Sequence, residues 1–161
     1  MSKPGKTIED RDNPRVRVPP PIVILGTLLM GLYLDGRLTD RPEFMPITLG
    51  FGVLAIFSGL GLIAAALGVF RRLRTRVEPW QPASALVSSG VYRFSRNPMY
   101  LGMLLTYAGV AIALQSLMAV LLLLPLFVVI DRFVVRREEA YLQRRFGEAY
   151  DKFRLEVRRW L

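Results

Sequence analysis

The sequence predicts an all-α integral membrane protein with about four transmembrane helices and a C-terminal amphipathic helix. Hydrophobic residues make up 52% of the 161 residues, and they are concentrated in long uncharged runs. Basic residues collect at the ends of those runs, as is typical of membrane topology. A chain of this length is expected to form one domain. We place that domain at residues 21–161, after an N-terminal arm at residues 1–20.

The composition excludes several kinds of chemistry. The chain has no cysteine and no histidine, so disulfides, thiolate nucleophiles and imidazole bases are excluded. We expect no metal site. The formal net charge is +9, but the charges lie beside apolar runs, which favours a membrane protein over a nucleic-acid-binding one.

The first two apolar runs form the N-terminal part of the domain, residues 21–70. Residues 1–20 are basic and rich in proline, which predicts a flexible arm on the membrane surface. The run Pro21–Leu34 is short for a span of about 20 residues, so a re-entrant segment is the alternative. Met45–Phe70 is a clear span with small residues typical of a helix-packing face: Gly50, Gly52, Gly59, Gly61 and Gly68.

A long polar connection precedes two further spans. Residues 71–96 exceed an ordinary connector and are therefore a candidate functional loop, in which Trp80 is interpreted as an interfacial anchor. Pro98–Leu114 is the third span, since proline fits the first turn of a helix. After the tight turn Gln115-Ser116, the fourth span is Leu117–Ile130, extending toward Val135.

Positive charges predict the orientation. They are dense in the arm, in the long connection and at the C-terminal end, but sparse in the other two turns. The positive-inside rule then places both termini and the long connection in the cytoplasm. Arg136–Leu161 has apolar residues at helical spacing, which predicts an amphipathic helix that Gly147 breaks or bends: Leu142, Phe146, Tyr150, Phe153, Val157 and Trp160.

Two polar clusters should meet at the cytoplasmic end of the third and fourth spans. One comprises Tyr92, Arg96, Asn97 and Tyr100, and the other is Arg136-Arg137-Glu138-Glu139. Because a tight turn joins the spans at the far end, the other ends are neighbours, within side-chain reach. An arginine and a carboxylate there can hold a zwitterionic ligand. The alternative is a set of interfacial side chains and surface ion pairs.

The two clusters lie within motifs that resemble a known family. Gly90–Gly102 contains Arg-Asn-Pro-Met-Tyr-Leu-Gly, which resembles the Arg-His-Pro-x-Tyr-x-Gly signature of isoprenylcysteine carboxyl methyltransferases and their bacterial relatives. Glu138-Glu139-x-x-Leu142 with Phe146-Gly147-x-x-Tyr150 resembles that family's second signature. The resemblance covers roughly residues 71–160, and phospholipid N-methyltransferases share parts of it more distantly.

The resemblance implies an integral membrane methyltransferase that uses S-adenosyl-L-methionine, with residues 71–161 as the cofactor-binding half. Arg96 and Glu139 would be the catalytic residues. Phe146 and Tyr150 would mainly pack the C-terminal helix. The implied location is the bacterial inner membrane with a cytoplasmic site. The implied cofactor-binding residues are Leu86, Val87, Gly90, Tyr92, Arg96, Asn97, Pro98, Tyr100, Gly102, Glu138 and Glu139.

The sequence also departs from that family. Asn97 replaces the histidine of the signature and cannot titrate. The chain ends Arg158-Arg159-Trp160-Leu161, where family members usually continue with a proline. The N-terminal half matches nothing in the family, so the lipophilic acceptor stays open between a carboxyl or other small acceptor on an isoprenoid-like molecule and a phospholipid amine. A non-catalytic protein that keeps the cofactor pocket, and a reductase-like relative without a nicotinamide motif, are the other classes.

Overall fold

The computed structural model describes residues 18–38, 45–74 and 85–161, and within them all regular secondary structure is helical. The predicted arm falls almost wholly outside those ranges, as does Trp80. The predicted all-α class is confirmed. The helices are α1 (Pro20–Leu38), α2 (Pro46–Arg72), α3 (Pro98–Ala113), α4 (Leu117–Val129), α5 (Arg136–Phe146) and α6 (Glu148–Glu156). A 3₁₀ turn, Gly90–Arg93, precedes α3, and a π turn, Ile130–Val135, joins α4 to α5.

Four apolar helices lie where the sequence predicted membrane segments. Three stretches of the described chain are long and apolar enough to cross a membrane: α1, α2 and the continuous helix Leu117–Phe146. At 16 residues, α3 is shorter. The first apolar run forms a helix of 19 residues, which favours the spanning interpretation over the re-entrant one.

The apolar helices alternate in direction. At one end of the bundle, the backbone N–H of Met118 donates to Asp35 at 3.2 Å, and that of Met45 donates to the Gln115 side chain at 3.3 Å. The start of α4 is capped by Ser116, whose hydroxyl accepts from the N–H of Ala119. The turn between α3 and α4 therefore lies at this end. The start of α3 and the polar part of α5 consequently lie together at the opposite end, as predicted.

Glycines bring α2 and α3 into backbone contact. Gly52 and Gly59 of α2 face Gly109 and Gly102 of α3, and a methyl group at any of them would fall within 3 Å of the opposite helix. Such close approach is how helices associate in lipid, where burial of apolar surface gives no advantage. The predicted packing role is confirmed for these two glycines of α2. Gly50, Gly61 and Gly68 have nothing within 4 Å of the position a methyl group would take.

The C-terminal segment Arg136–Leu161 breaks at Gly147, as predicted, but it is not helical over its whole length. Its first part continues from α4 through the π turn, without a separate start. Gly147 adopts φ +52° and ψ −124°, a conformation that side chains disfavour, and it separates α5 from α6. The helix ends at Glu156 because Val157 is extended. Residues 157–161, here called the C-terminal tail, return to the start of α3, so the helical positions predicted for Val157 and Trp160 are wrong.

We expect Gly109→Ala to destabilise the bundle, because its methyl group would lie 2.7 Å from both the carbonyl oxygen of Gly52 and the amide nitrogen of Ile56. The added methyl group would push the backbones of α2 and α3 apart. This should lower the free energy of unfolding by about 1–3 kcal/mol, the range for overpacked cores. Thermal unfolding in detergent measures it. The matched control is Gly61→Ala, which enters open space. Equal stability of the two variants would contradict the packing role.

Candidate active site

The loop before α3 directs the Arg96 side chain toward the polar part of α5, at the end of the bundle where α3 begins. Pro98 occupies the first turn of α3, where its missing N–H is not needed. The hydroxyl of Ser95 accepts from the N–H of Asn97 at 3.2 Å, which folds the loop tightly. The backbone N–H of Arg96 donates to the carbonyl of Arg158 at 3.0 Å, so the C-terminal tail fixes this loop from the other side.

Glu139 is shared by two arginines. Arg96 Nη2 lies 3.1 Å from Glu139 Oε1, and the two side chains are only 9% and 13% exposed. Arg159 binds the same carboxylate in a bidentate manner, with Nε 3.1 Å from Oε1 and Nη2 2.6 Å from Oε2. Charged hydrogen bonds of this geometry are strong and directional. The expected meeting of Arg96 with the glutamate pair is therefore confirmed, and Glu139 is the glutamate that Arg96 contacts.

Glu138 has a different environment from Glu139. Its Oε1 accepts a hydrogen bond of 2.5 Å from the hydroxyl of Tyr100, a neutral donor. Tyr92 is buried nearby, with its ring edge-on to Phe70 at a centroid distance of 5.7 Å. The two adjacent carboxylates thus differ in their partners: Glu139 is neutralised by guanidinium groups, whereas Glu138 accepts from the phenol of Tyr100.

The tyrosine and arginine side chains around the two carboxylates keep their protons and can therefore donate hydrogen bonds. Burial, reinforced by the charge of Glu138, raises the pKa of Tyr92. Burial, with the charge of Glu139, raises the pKa of Tyr150 to about 12. Its hydroxyl lies 3.5 Å from Arg96 Nη1. The hydrogen bonds to Glu139 raise the pKa of Arg159. The phenols of Tyr92 and Tyr150 are therefore neutral, and the guanidinium of Arg159 is charged, at physiological pH.

Two buried polar atoms lack a partner within the described residues: Arg96 Nε, a donor, and Gln143 Oε1, an acceptor. The amide of Gln143 is oriented by Asp151, whose carboxylate accepts from Nε2 at 2.8 Å. Gln143 follows Glu139 by four residues in α5, so the two side chains share a helix face. Because unpaired buried polar atoms are costly, each of these atoms is available for one further hydrogen bond.

Other residues predicted for the site serve the scaffold around it. Leu86 and Val87 pack in the apolar cluster of Tyr92 and Tyr150, as does Phe146. The predicted packing role of Phe146 and Tyr150 is thus confirmed. Gly90 has φ +61° and sits against Val69 of α2. Gly102 faces the backbone of α2. Asn97 donates from Nδ2 to the carbonyl of Arg159 at 3.1 Å. Cofactor contacts of these residues stay predictions from the resemblance.

Sequence reasoning missed Ser95, Gln143 and the role of Arg159. Ser95 donates to the carbonyl of Arg159 at 3.2 Å. Only the three-dimensional return of the tail reveals the contacts of Ser95 and Arg159, whereas Gln143 is oriented by Asp151 of α6. The sequence did indicate that Asp131 needs a partner, since a carboxylate next to an apolar membrane run is costly unless it is paired. The structure pairs it with Arg136 and Arg159.

The fold and the site define an integral membrane protein with a cluster of paired charged side chains at one end of an apolar bundle. Residues 47–149 match the phospholipid methyltransferase family. Since that match covers more than half of the chain, the protein belongs to this family of membrane methyltransferases.

Two relatives show further similarity. The chain is 30% identical over 148 residues to protein-S-isoprenylcysteine O-methyltransferase of Schizosaccharomyces pombe, over 83% of this chain and 61% of that protein. It is 38% identical over 63 residues to an uncharacterized protein of Haemophilus influenzae, over 39% of this chain and the whole of that protein. No solved structure matches the chain. The predicted resemblance to membrane methyltransferases is confirmed.

We expect Tyr100→Phe to destabilise the site end of the bundle, because Glu138 would lose its phenol donor. A hydrogen bond to a charged group contributes about 1.5–3 kcal/mol, and thermal unfolding in detergent should show a loss in that range. Tyr33→Phe, on the exposed side of α1, is the control. An unchanged melting temperature for Tyr100→Phe would show that the bond to Glu138 does not stabilise the fold.

Proposed function

We propose that the protein transfers a methyl group from S-adenosyl-L-methionine to a lipophilic acceptor taken from the membrane. The observation that carries this proposal is the buried ion pair of Arg96 and Glu139, at the end of an apolar bundle of the methyltransferase family. We place the site on the cytoplasmic side of a bacterial inner membrane, where the positive charges beside the spans are expected.

The residues present fit this cofactor. It carries a carboxylate, an amine and ribose hydroxyls, and the site offers complementary groups. Arg96 Nε is a buried donor that needs an acceptor, and Gln143 Oε1 is a buried acceptor that needs a donor. Glu138 is a carboxylate that accepts from the phenol of Tyr100 and can also accept from an amine or a hydroxyl. When bound, the cofactor supplies an electrophilic methyl group on a sulfonium.

The protein's own contribution is alignment, exclusion of water and, for some acceptors, proton removal. Glu139 holds Arg96, which orients a carboxylate. Holding the acceptor in line with the methyl group and out of water accounts for much of such catalysis. A carboxylate acceptor needs no base. An ammonium acceptor must first lose a proton, and Glu138 is the better base because two guanidinium groups already neutralise Glu139.

Two acceptor classes are supported by the comparisons. The family match names phospholipid methyltransferases, which supports a phospholipid amine. The Schizosaccharomyces pombe relative acts, by its name, on protein S-isoprenylcysteine, which supports a carboxylate on an isoprenoid-bearing molecule. Both acceptors are lipophilic and reach the site from the bilayer. The chain spans 61% of the length of that relative, so we do not assign the relative's full range of substrates to this protein.

We expect the purified protein to bind S-adenosylhomocysteine, and Arg96→Ala to weaken that binding roughly 10- to 100-fold. A lost hydrogen bond to a charged ligand group contributes about 1.5–3 kcal/mol, and each 1.4 kcal/mol is tenfold in affinity. Calorimetry in detergent measures it, with Arg93→Ala, an exposed arginine of the 3₁₀ turn, as the matched control. No binding by the wild type in either detergent or lipid would overturn the proposal and favour a non-catalytic protein.

The acceptor class is tested with S-adenosylmethionine labelled in the methyl group. Membrane lipid extracts and synthetic isoprenylcysteine are incubated separately with the protein. We expect label in one of the two, and Glu138→Gln should abolish it for an amine while largely sparing a carboxylate. Label in neither pool, from protein that binds the cofactor, would contradict the lipophilic acceptor.

A further inference from the structure

The ion pair of the proposed site is one end of a longer chain of charges. Arg159, which binds Glu139, also lies 3.5 Å from Asp131 through Nη1. Asp131 accepts in addition from Arg136 Nε at 3.1 Å and from the indole N–H of Trp160 at 3.1 Å. The Asp131 side chain is only 13% exposed. Asp131, Arg159, Glu139 and Arg96 are thus linked in sequence by direct contacts.

The π turn explains why one arginine reaches both carboxylates. Positions 131 and 139 are eight residues apart, and in an uninterrupted α-helix at about 100° per residue they would face about 80° apart. The turn Ile130–Val135 is a π turn, which holds one residue more than an α turn. Because the π turn accommodates this extra residue, the angle between positions 131 and 139 around the helix axis falls to about 20°. The Arg136–Asp131 contact also has the five-residue spacing of a π turn.

The C-terminal tail carries Arg159 to this face and is fastened on both sides. Its carbonyl groups at Arg158 and Arg159 accept from Arg96, Ser95 and Asn97 at the start of α3. On the other side, Trp160 packs on Phe127 of α4 with ring centroids 5.0 Å apart. Arg159 is therefore positioned by the loop before α3 and by α4, in addition to its contact with Glu139.

We propose that Asp131 and Arg159 are positioning residues of the methyl-transfer site: Asp131, turned onto the face of Glu139 by the π turn, orients Arg159, which fixes Glu139 against Arg96. This inference rests on the proposed function. Neither residue needs to touch the cofactor. Their effect passes through the Glu139 carboxylate, whose two oxygens Arg159 occupies, leaving one direction for Arg96.

The test measures S-adenosylhomocysteine affinity by calorimetry for Asp131→Asn, Arg159→Gln and the double variant. Asp131→Asn keeps an oxygen for the Trp160 indole but removes the charge. We expect each single variant to bind roughly three- to tenfold more weakly, as for loss of a coupled charge pair, and the double variant to bind no more weakly than the worse single one. Arg159→Lys should recover part of the affinity. Arg158→Gln, an exposed neighbour, should bind like the wild type.

Melting temperatures of the same variants separate positioning from simple stabilisation. Wild-type affinity in Asp131→Asn, or additive losses in the double variant, would overturn the positioning role. The proposed function would stay intact in that case if Arg96→Ala still weakens binding roughly 10- to 100-fold. A lowered melting temperature with unchanged affinity would also overturn it. Absence of binding by the wild type would overturn the proposed function and the positioning role together.

Discussion

The Glu139 carboxylate is the point at which the separate parts of the polar end are joined. It accepts from Arg96 of the loop before α3 and from Arg159 of the C-terminal tail, while its own backbone belongs to α5. A carboxylate this poorly exposed would be unfavourable alone, and the equally poorly exposed Arg96 would be unfavourable without it. The loop, the helix and the tail therefore depend on one another through this carboxylate.

The apolar bundle makes that arrangement possible by fixing where the helix ends lie. Backbone contact between α2 and α3 through glycines sets the distance and rotation of α3, and hence the direction of Tyr100 toward Glu138. The Ser116 cap and the short turn after α3 then determine where α4 begins. Placement of charged groups at the bundle end thus follows from contacts made deep among apolar residues, where no charge is present.

The sequence allowed prediction of the parts of this structure that depend on local chemistry. Uncharged runs located the apolar helices, Pro98 located the start of α3, and Gly147 located the break after α5. The tight turn at Gln115-Ser116 predicted that Arg96 and the glutamate pair would meet. The helical spacing of apolar residues did not predict the structure beyond Glu156, because the tail is held by backbone carbonyl groups, which every sequence has. The π turn was equally invisible, since its effect appears only when Asp131 and Glu139 are compared in three dimensions.

The shortness of α3 has a consequence for the loop that precedes it. Its 16 residues rise about 24 Å at about 1.5 Å each, less than the hydrocarbon thickness of about 30 Å. No residue of α3 is exposed, so neighbouring protein rather than lipid surrounds this short helix. Near the start of α3, Gly90 and Tyr92 pack beside Val69 and Phe70 in the last turns of α2. The loop before α3 therefore occupies, within the protein, the length that the helix itself does not span.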